Sequence, residues 1–199
     1  MEAAAFWKVI GEYNLHTGGC QIALLAVLIT GILVSYFTRY KWIAKVVLGL
    51  LNSFIAIFFF LEYGTEPIQR YFALPLFSAT AILFFYESIK KPTDDILLPK
   101  PMAATLMVLY AAYPFVSVLL GGAFPQMVTH IMPCPVATIS IAVYSCYRKH
   151  NILLLILLTI WGVTGIKALI FSAYEDIILL LAGIYGGWLI VRHVYVTKH

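Results

Sequence analysis

Charge is scarce in this sequence. Among 199 residues only 13 are Lys or Arg and 9 are Asp or Glu, so 11% are charged. Soluble domains carry about 25%. So few charged side chains cannot cover a water-facing surface, and segments this apolar and aromatic do not stay disordered. Cysteine is limited to Cys20, Cys134 and Cys146, an odd number that leaves no fully paired disulfide framework. Glycine-rich phosphate loops are lacking, as is any serine–histidine–carboxylate spacing, so no enzyme class is indicated. A secretory signal is lacking too: Met1 to Asn14 sets Glu2 and Glu12 against Lys8 and has no apolar core.

What is present is hydrophobic bulk, 62% of the residues. Lipid is the solvent that tolerates such a surface, so the chain reads as a polytopic membrane protein. A helix needs about 20 mostly apolar residues to cross the hydrocarbon core. Seven segments qualify: Gly18–Phe37, Trp42–Leu61, Ile68–Tyr86, Ala103–Leu120, Ile131–Tyr147, Ile152–Phe171 and Asp176–Val196. The expected fold is all-α, a seven-transmembrane helix bundle. Residues 1–17 form an N-terminal interfacial segment with Phe6, Trp7, Ile10 and Tyr13 on one face, and residues 18–199 form the membrane domain. Pro133 and Pro135 fall in the first turn of the fifth span, where proline is tolerated.

The distribution of charge gives an independent test. Arg39, Lys41, Lys45, Lys90, Lys91, Lys100, Arg148, Lys149, Arg192 and Lys198 fall on one side, ten cations against Lys8, Arg70 and Lys167 on the other. Cytoplasmic loops collect Lys and Arg, which places the N-terminus outside and the C-terminus in the cytoplasm. The net charge of +4 therefore belongs to topology and implies no nucleic acid.

Ionisable residues deep in a membrane mark function, and here the spans have none at mid-depth. Lys45 and Lys167 sit near span ends, where long stems can snorkel to water. Without a lysine deep in the seventh span the chain is no retinal protein, and a carboxylate proton relay loses its basis. Asn52, Ser53, Ser78, Thr80, Ser117, Ser140 and Thr159 are the mid-depth polar groups, and such groups commonly bond between helices. No matching halves of the transporter kind are evident.

Three constellations remain, all on the outer side. His16 and Cys20 are four residues apart, while His130, Met132 and Cys134 crowd the entry to the fifth span. Thiol, thioether and imidazole together suit a soft metal such as copper, although each residue also has an ordinary packing role. Glu12, Glu62, Glu66, Glu175 and Asp176 form an acidic boundary in which Asp176 or Glu175 can reach Lys167 across the turn at Phe171. Helix-dipole attraction alone also explains the two carboxylates that open the seventh span. Finally, Gly121-Gly122 and Pro133-Cys134-Pro135 flank an uncharged stretch that is expected to dip into the membrane.

Tyr13-Asn14, Tyr113-Pro114, Leu119 to Gly122, the run Pro133-Cys134-Pro135-Val136-Ala137-Thr138, Trp161-Gly162 and Glu175-Asp176 carry a resemblance. Together they resemble a family of small bacterial integral-membrane proteins classed as a domain of unknown function. The proline-flanked cysteine before a hydroxyl-bearing apolar helix is the most specific part. The resemblance implies that Cys134, Trp161 and Asp176 belong to a shared framework, and that the chain lies in the bacterial cytoplasmic (inner) membrane. His130 and Met132 are less typical of the pattern.

The expected function is transport or permeation of a small ion or solute, without catalysis, through a site in the outer half of the bundle. Asn14, Glu62, Cys134, Trp161, Lys167 and Asp176 would line it. The alternative is a non-catalytic sensor or accessory subunit, and a further one is a soft-metal or thiol redox protein. No cofactor is expected otherwise. The expected partners are the lipid bilayer, the small ion or solute, and a second copy or a membrane partner protein. A transporter should have a polar cavity reaching mid-depth near Asn52 or Ser78; an accessory subunit should have a filled core.

Overall fold

The structure is a computed structural model that describes residues 3–167 and 173–198, with side chains over 6–167 and 173–195. Seven α-helices stand among the described residues. They are α1 (Ala3–Phe37), α2 (Ile43–Phe54), α3 (Leu74–Lys90), α4 (Pro101–Leu119), α5 (Pro133–Tyr144), α6 (Ile152–Val163) and α7 (Ile177–Lys198). With their non-α extensions, α1 to α4 and α7 are five helices long and apolar enough to cross a membrane, while α5 and α6 are shorter apolar helices. The last part of the expected sixth span and the start of the turn after it, residues 168–172, lie outside the described residues.

Helix α1 is the largest departure from expectation. Residues 1–17 were expected to lie apart from the first span, yet the helix runs unbroken from Ala3 to Phe37, 35 residues or about 52 Å at 1.5 Å per residue. Its buried positions explain the continuity. Asn14, Gln21, Leu28 and Ser35 recur every seven residues, joined by Ile10, Tyr13 and Thr17. One narrow stripe thus faces the bundle along the whole length.

The pairs α1–α2, α2–α3 and α6–α7 pack antiparallel. Ser35 of α1 accepts the Ala44 amide of α2 at 2.8 Å, and Gly49 of α2 packs on Phe85 of α3. Between α6 and α7 the backbones nearly touch: a Cβ at Gly162 would stand 2.5 Å from the Gly183 Cα. Small residues allow that approach, which is the usual way apolar helices gain contact in lipid.

At the centre stands α5, in contact with α2, α4, α6 and α7. Every residue of it except Cys134 is buried. With 12 residues it is about 18 Å long, too short to cross a bilayer alone. The chain reaches its start through the non-helical residues 120–132. Gly121, at φ +96°, ends α4, and the Gly122 amide bonds back to Ser117 O at 2.9 Å, a Schellman-type stop.

Non-helical backbone at depth must find partners within the protein, and α1 supplies them. Tyr13 donates to Ile131 O at 2.6 Å. Asn14 donates to Pro125 O at 2.8 Å and to Met127 O at 2.9 Å. The stretch expected to dip inward therefore does so against α1, with Val128 and Ile131 buried and Phe124 exposed.

Candidate functional site

One end of the bundle, the end that carries Pro133, departs repeatedly from α geometry. The α2 helix widens into π turns over Ile55–Glu62, and α3 is preceded by π turns over Gln69–Ala73. Pro75 has a cause to offer for the second: its ring crowds the carbonyl four residues back and widens the helix there. A 3-10 turn, Thr164–Lys167, follows α6, and another, Tyr174–Asp176, precedes α7. Such irregular turns concentrate where proteins do their work.

These four segments surround a cavity of about 210 Å³. Phe6 and Ile10 of α1, Phe59 and Phe60 of the π turns, Phe72, Met132 and Trp161 make most of the wall apolar and aromatic. Trp161 stands edge-on to Phe60 at 5.5 Å and to Phe77 at 5.0 Å. Its indole Nε1 is enclosed without a hydrogen bond of regular geometry, and the Cys134 thiol is its polar neighbour. Cys134 donates to Asp176 Oδ2 at 3.2 Å, so the polar part of the wall is a thiol–carboxyl pair. Glu66 and Lys167 also line the cavity.

Of the six residues expected to line a site, Cys134, Trp161, Lys167 and Asp176 are brought together here. Asn14 and Glu62 are not. Asn14 is fully buried and spent on backbone: besides its two donated bonds it accepts from Gln21 at 3.1 Å and Thr129 at 3.2 Å. Glu62 is exposed at the end of the π turns. The ion pair expected between Lys167 and Asp176 or Glu175 is not formed among the described residues. Lys167 is exposed, Asp176 takes the Cys134 thiol, and buried Glu175 accepts from Ser117 at 3.0 Å. Hydrogen bonds from neutral donors on α4 and α5 thus replace the ammonium.

The soft-metal set is dispersed among other partners. His16 and Cys20 are exposed on α1, with His16 Nδ1 lying 2.8 Å from Glu12 O. His130 Nε2 lies 3.3 Å from Ala111 O. Burial pushes its imidazole below the ordinary value, and that backbone bond opposes the shift. Met132 Sδ accepts the Thr129 amide at 3.2 Å, and Cys134 faces Asp176. Among the described residues no three His, Cys, Asp or Glu side chains are grouped to hold a metal ion.

The opposite end, which carries Arg148, holds a cluster that the sequence reading missed. Lys45 does not snorkel. It is fully buried, 3.3 Å from Asp94 Oδ2 and 3.7 Å from Glu87 Oε2, and lies 4.4 Å from the centre of the Tyr147 ring. Lys91 and Asn151 each reach Glu87 Oε1 at 3.3 Å. The available signal was that Glu87, Asp94 and Asp95 are the acidic residues on the otherwise basic side of the chain.

A family model described as "Family of unknown function (DUF6064)" matches residues 3–199, and the chain belongs to that family. No curated protein and no solved structure matches it.

Proposed function

We propose that the chain is a multi-pass protein of the bacterial cytoplasmic membrane, with its Pro133 end outside, that binds a small, mainly apolar molecule bearing one basic nitrogen. It serves as a binding or sensing module with no chemical step of its own. The observation that carries this reading is the 210 Å³ aromatic cavity with the Asp176 carboxyl on its wall. Apolar walls with a few convergent polar groups are the usual make-up of a ligand pocket, and this volume lies below the ~300–1,000 Å³ that drug-sized molecules occupy. Aromatic faces and a carboxyl group together favour an amine.

The burial of the central helix supports binding over conduction. The transport expected from the sequence needs a polar path to mid-depth. There the Asn52 amide donates to Leu48 O at 2.8 Å and to Ser140 Oγ at 3.2 Å, so its N–H groups bond within the bundle, while its Oδ1 is buried without a partner among the described residues. Beneath Cys134, α5 is buried along its length.

Phenethylamine is a suitable probe. Added to the purified protein in detergent, it should raise the thermal midpoint and change tryptophan fluorescence, while ethylbenzene, which lacks the nitrogen, should bind more weakly. Asp176→Asn should weaken phenethylamine binding about tenfold or more, the scale of a lost charge-assisted hydrogen bond. A wild-type protein that ignores phenethylamine, or an Asp176→Asn protein that binds it unchanged, would refute the reading.

A further inference from the structure

At the Arg148 end a second cavity, about 620 Å³ in volume, lies between the loop after α3, the turn after α5 and the last turns of α7. Its lining is strongly basic. Lys91, Lys100, Arg148, Lys149 and Arg192 all contribute, together with His150 and His193. The backbone that holds them is fixed: Leu97 N donates to Cys146 O at 2.8 Å, and Arg148 N donates to Asp95 O at 2.9 Å. An isolated bridge between Ile96 and Tyr147 joins the same two segments.

Topology alone requires cations on this face of the protein. It does not require five of them around one concavity, where like charges raise each other's energy. Local carboxylates do not relieve them. Glu87 and Asp94 turn inward to Lys45, and among the described residues Lys91 is the one of these five cations in an ion pair. Asp95 is exposed but does not line the cavity. His150 also contributes to the lining. An anion with several acceptor oxygens would satisfy these groups together.

The apolar part of the lining distinguishes between anions. Leu97, Leu98 and Leu189 lie in the same cavity as the cations, and Leu98 is 85% exposed. A leucine so exposed beside Lys100 suits the boundary between head groups and acyl chains. We propose that this cavity is a binding site for an anionic phospholipid, with its phosphate among Lys100, Arg148, Lys149 and Arg192 and its acyl chains along Leu97, Leu98 and Leu189. The site lies at the other end of the bundle from the amine pocket and does not depend on it.

The test is a titration of the delipidated protein in neutral detergent, followed by native mass spectrometry and thermal midpoint. Dioleoylphosphatidylglycerol should bind and stabilise; dioleoylphosphatidylcholine and inorganic phosphate should not. Each neutralised cation should cost about fivefold in affinity, so Lys149→Gln weakens binding and the triple variant Lys100→Gln, Arg148→Gln, Lys149→Gln abolishes most of it. Leu98→Ser should weaken phosphatidylglycerol binding at unchanged charge. Far-UV circular dichroism and a monodisperse size-exclusion profile serve as the folding control for every variant. Equal binding of the two lipids, or indifference to Lys149→Gln and to the triple variant, would overturn the proposal. Stabilisation by inorganic phosphate alone would overturn the lipid assignment in favour of a free-anion site.

Discussion

At the scale of single residues, Lys45 shows how burial changes what a charge does. An ammonium with no exposed surface is held by Asp94, Glu87 and the face of Tyr147. Removing one partner of a buried pair strands the other charge at a cost of about 3–5 kcal/mol. Lys45→Met should therefore lower the thermal midpoint sharply, and adding Asp94→Asn should recover much of the loss. A double variant whose loss equals the sum of the Lys45→Met and Asp94→Asn losses would show that the two are uncoupled. The sequence placed Lys45 correctly near a span end, but proximity to water along the chain does not decide exposure. That was set by Glu87 and Asp94 arriving from another helix and its loop. Cys134, Trp161 and Asp176 came forward through the family resemblance, and the fold sets them around one cavity. The exclusion of Asn14 was not legible, because an amide that caps backbone and one that binds a ligand look alike in sequence.

Histidine gives a second prediction at this scale. His150 packs edge-on to Tyr144 at 5.5 Å. Burial lowers its imidazole pKa; the Ser145 and Tyr144 backbone and Asp94 oppose the shift, while His193 adds to it. His130 is lowered in the same sense. Both are depressed in the folded state, so the unfolded chain binds protons first. Their contribution to stability is complete above the ordinary imidazole value of about 6.5 and is lost as pH falls below it. The thermal midpoint should drop between about pH 7 and about pH 5.5, and a protein carrying His130→Gln and His150→Gln should show a flatter profile. An unchanged slope would assign the pH response to other groups.

At the scale of elements, the short buried α5 depends on how residues 120–132 are held. Asn14 answers two of their carbonyls, and a buried group left unpaired costs about 1–3 kcal/mol. Asn14→Ala should speed amide exchange across residues 123–131 while leaving α2 and α3 protected. Exchange that rises equally throughout would mean global destabilisation instead. Most helix positions were legible from apolar runs and prolines, and the Pro133 start of α5 was among them. The continuity of α1 was not, because Thr17-Gly18-Gly19 looks like a break. Gly18 and Gly19 in fact stand in open space, and the stripe through Asn14, Gln21 and Leu28 decides the matter. The π turns were illegible for another reason. They keep an apolar run apolar and alter only which face each residue presents.

At the scale of the whole molecule, the two ends differ in kind. The Pro133 end is aromatic, irregular and poor in cations, and its cavity is walled on one side by the first turn of the buried α5. The Arg148 end is basic, with a buried ion cluster beneath its surface. The ten-to-three partition of Lys and Arg supports an outward Pro133 end. In that orientation the proposed amine pocket would face the outside and the proposed phospholipid site the cytoplasm.

The most direct test of a one-ended outward pocket is modification of Cys134 in a Cys20→Ser, Cys146→Ala background. The reagent is the membrane-impermeant trimethylammonium-ethyl methanethiosulfonate, applied to right-side-out and to inverted vesicles. Modification should occur in right-side-out vesicles, should be slowed by phenethylamine, and should be absent in inverted ones. Comparable modification from both sides would reveal a continuous path through the bundle, and modification from the inverted side alone would reverse the orientation; either result would contradict the account.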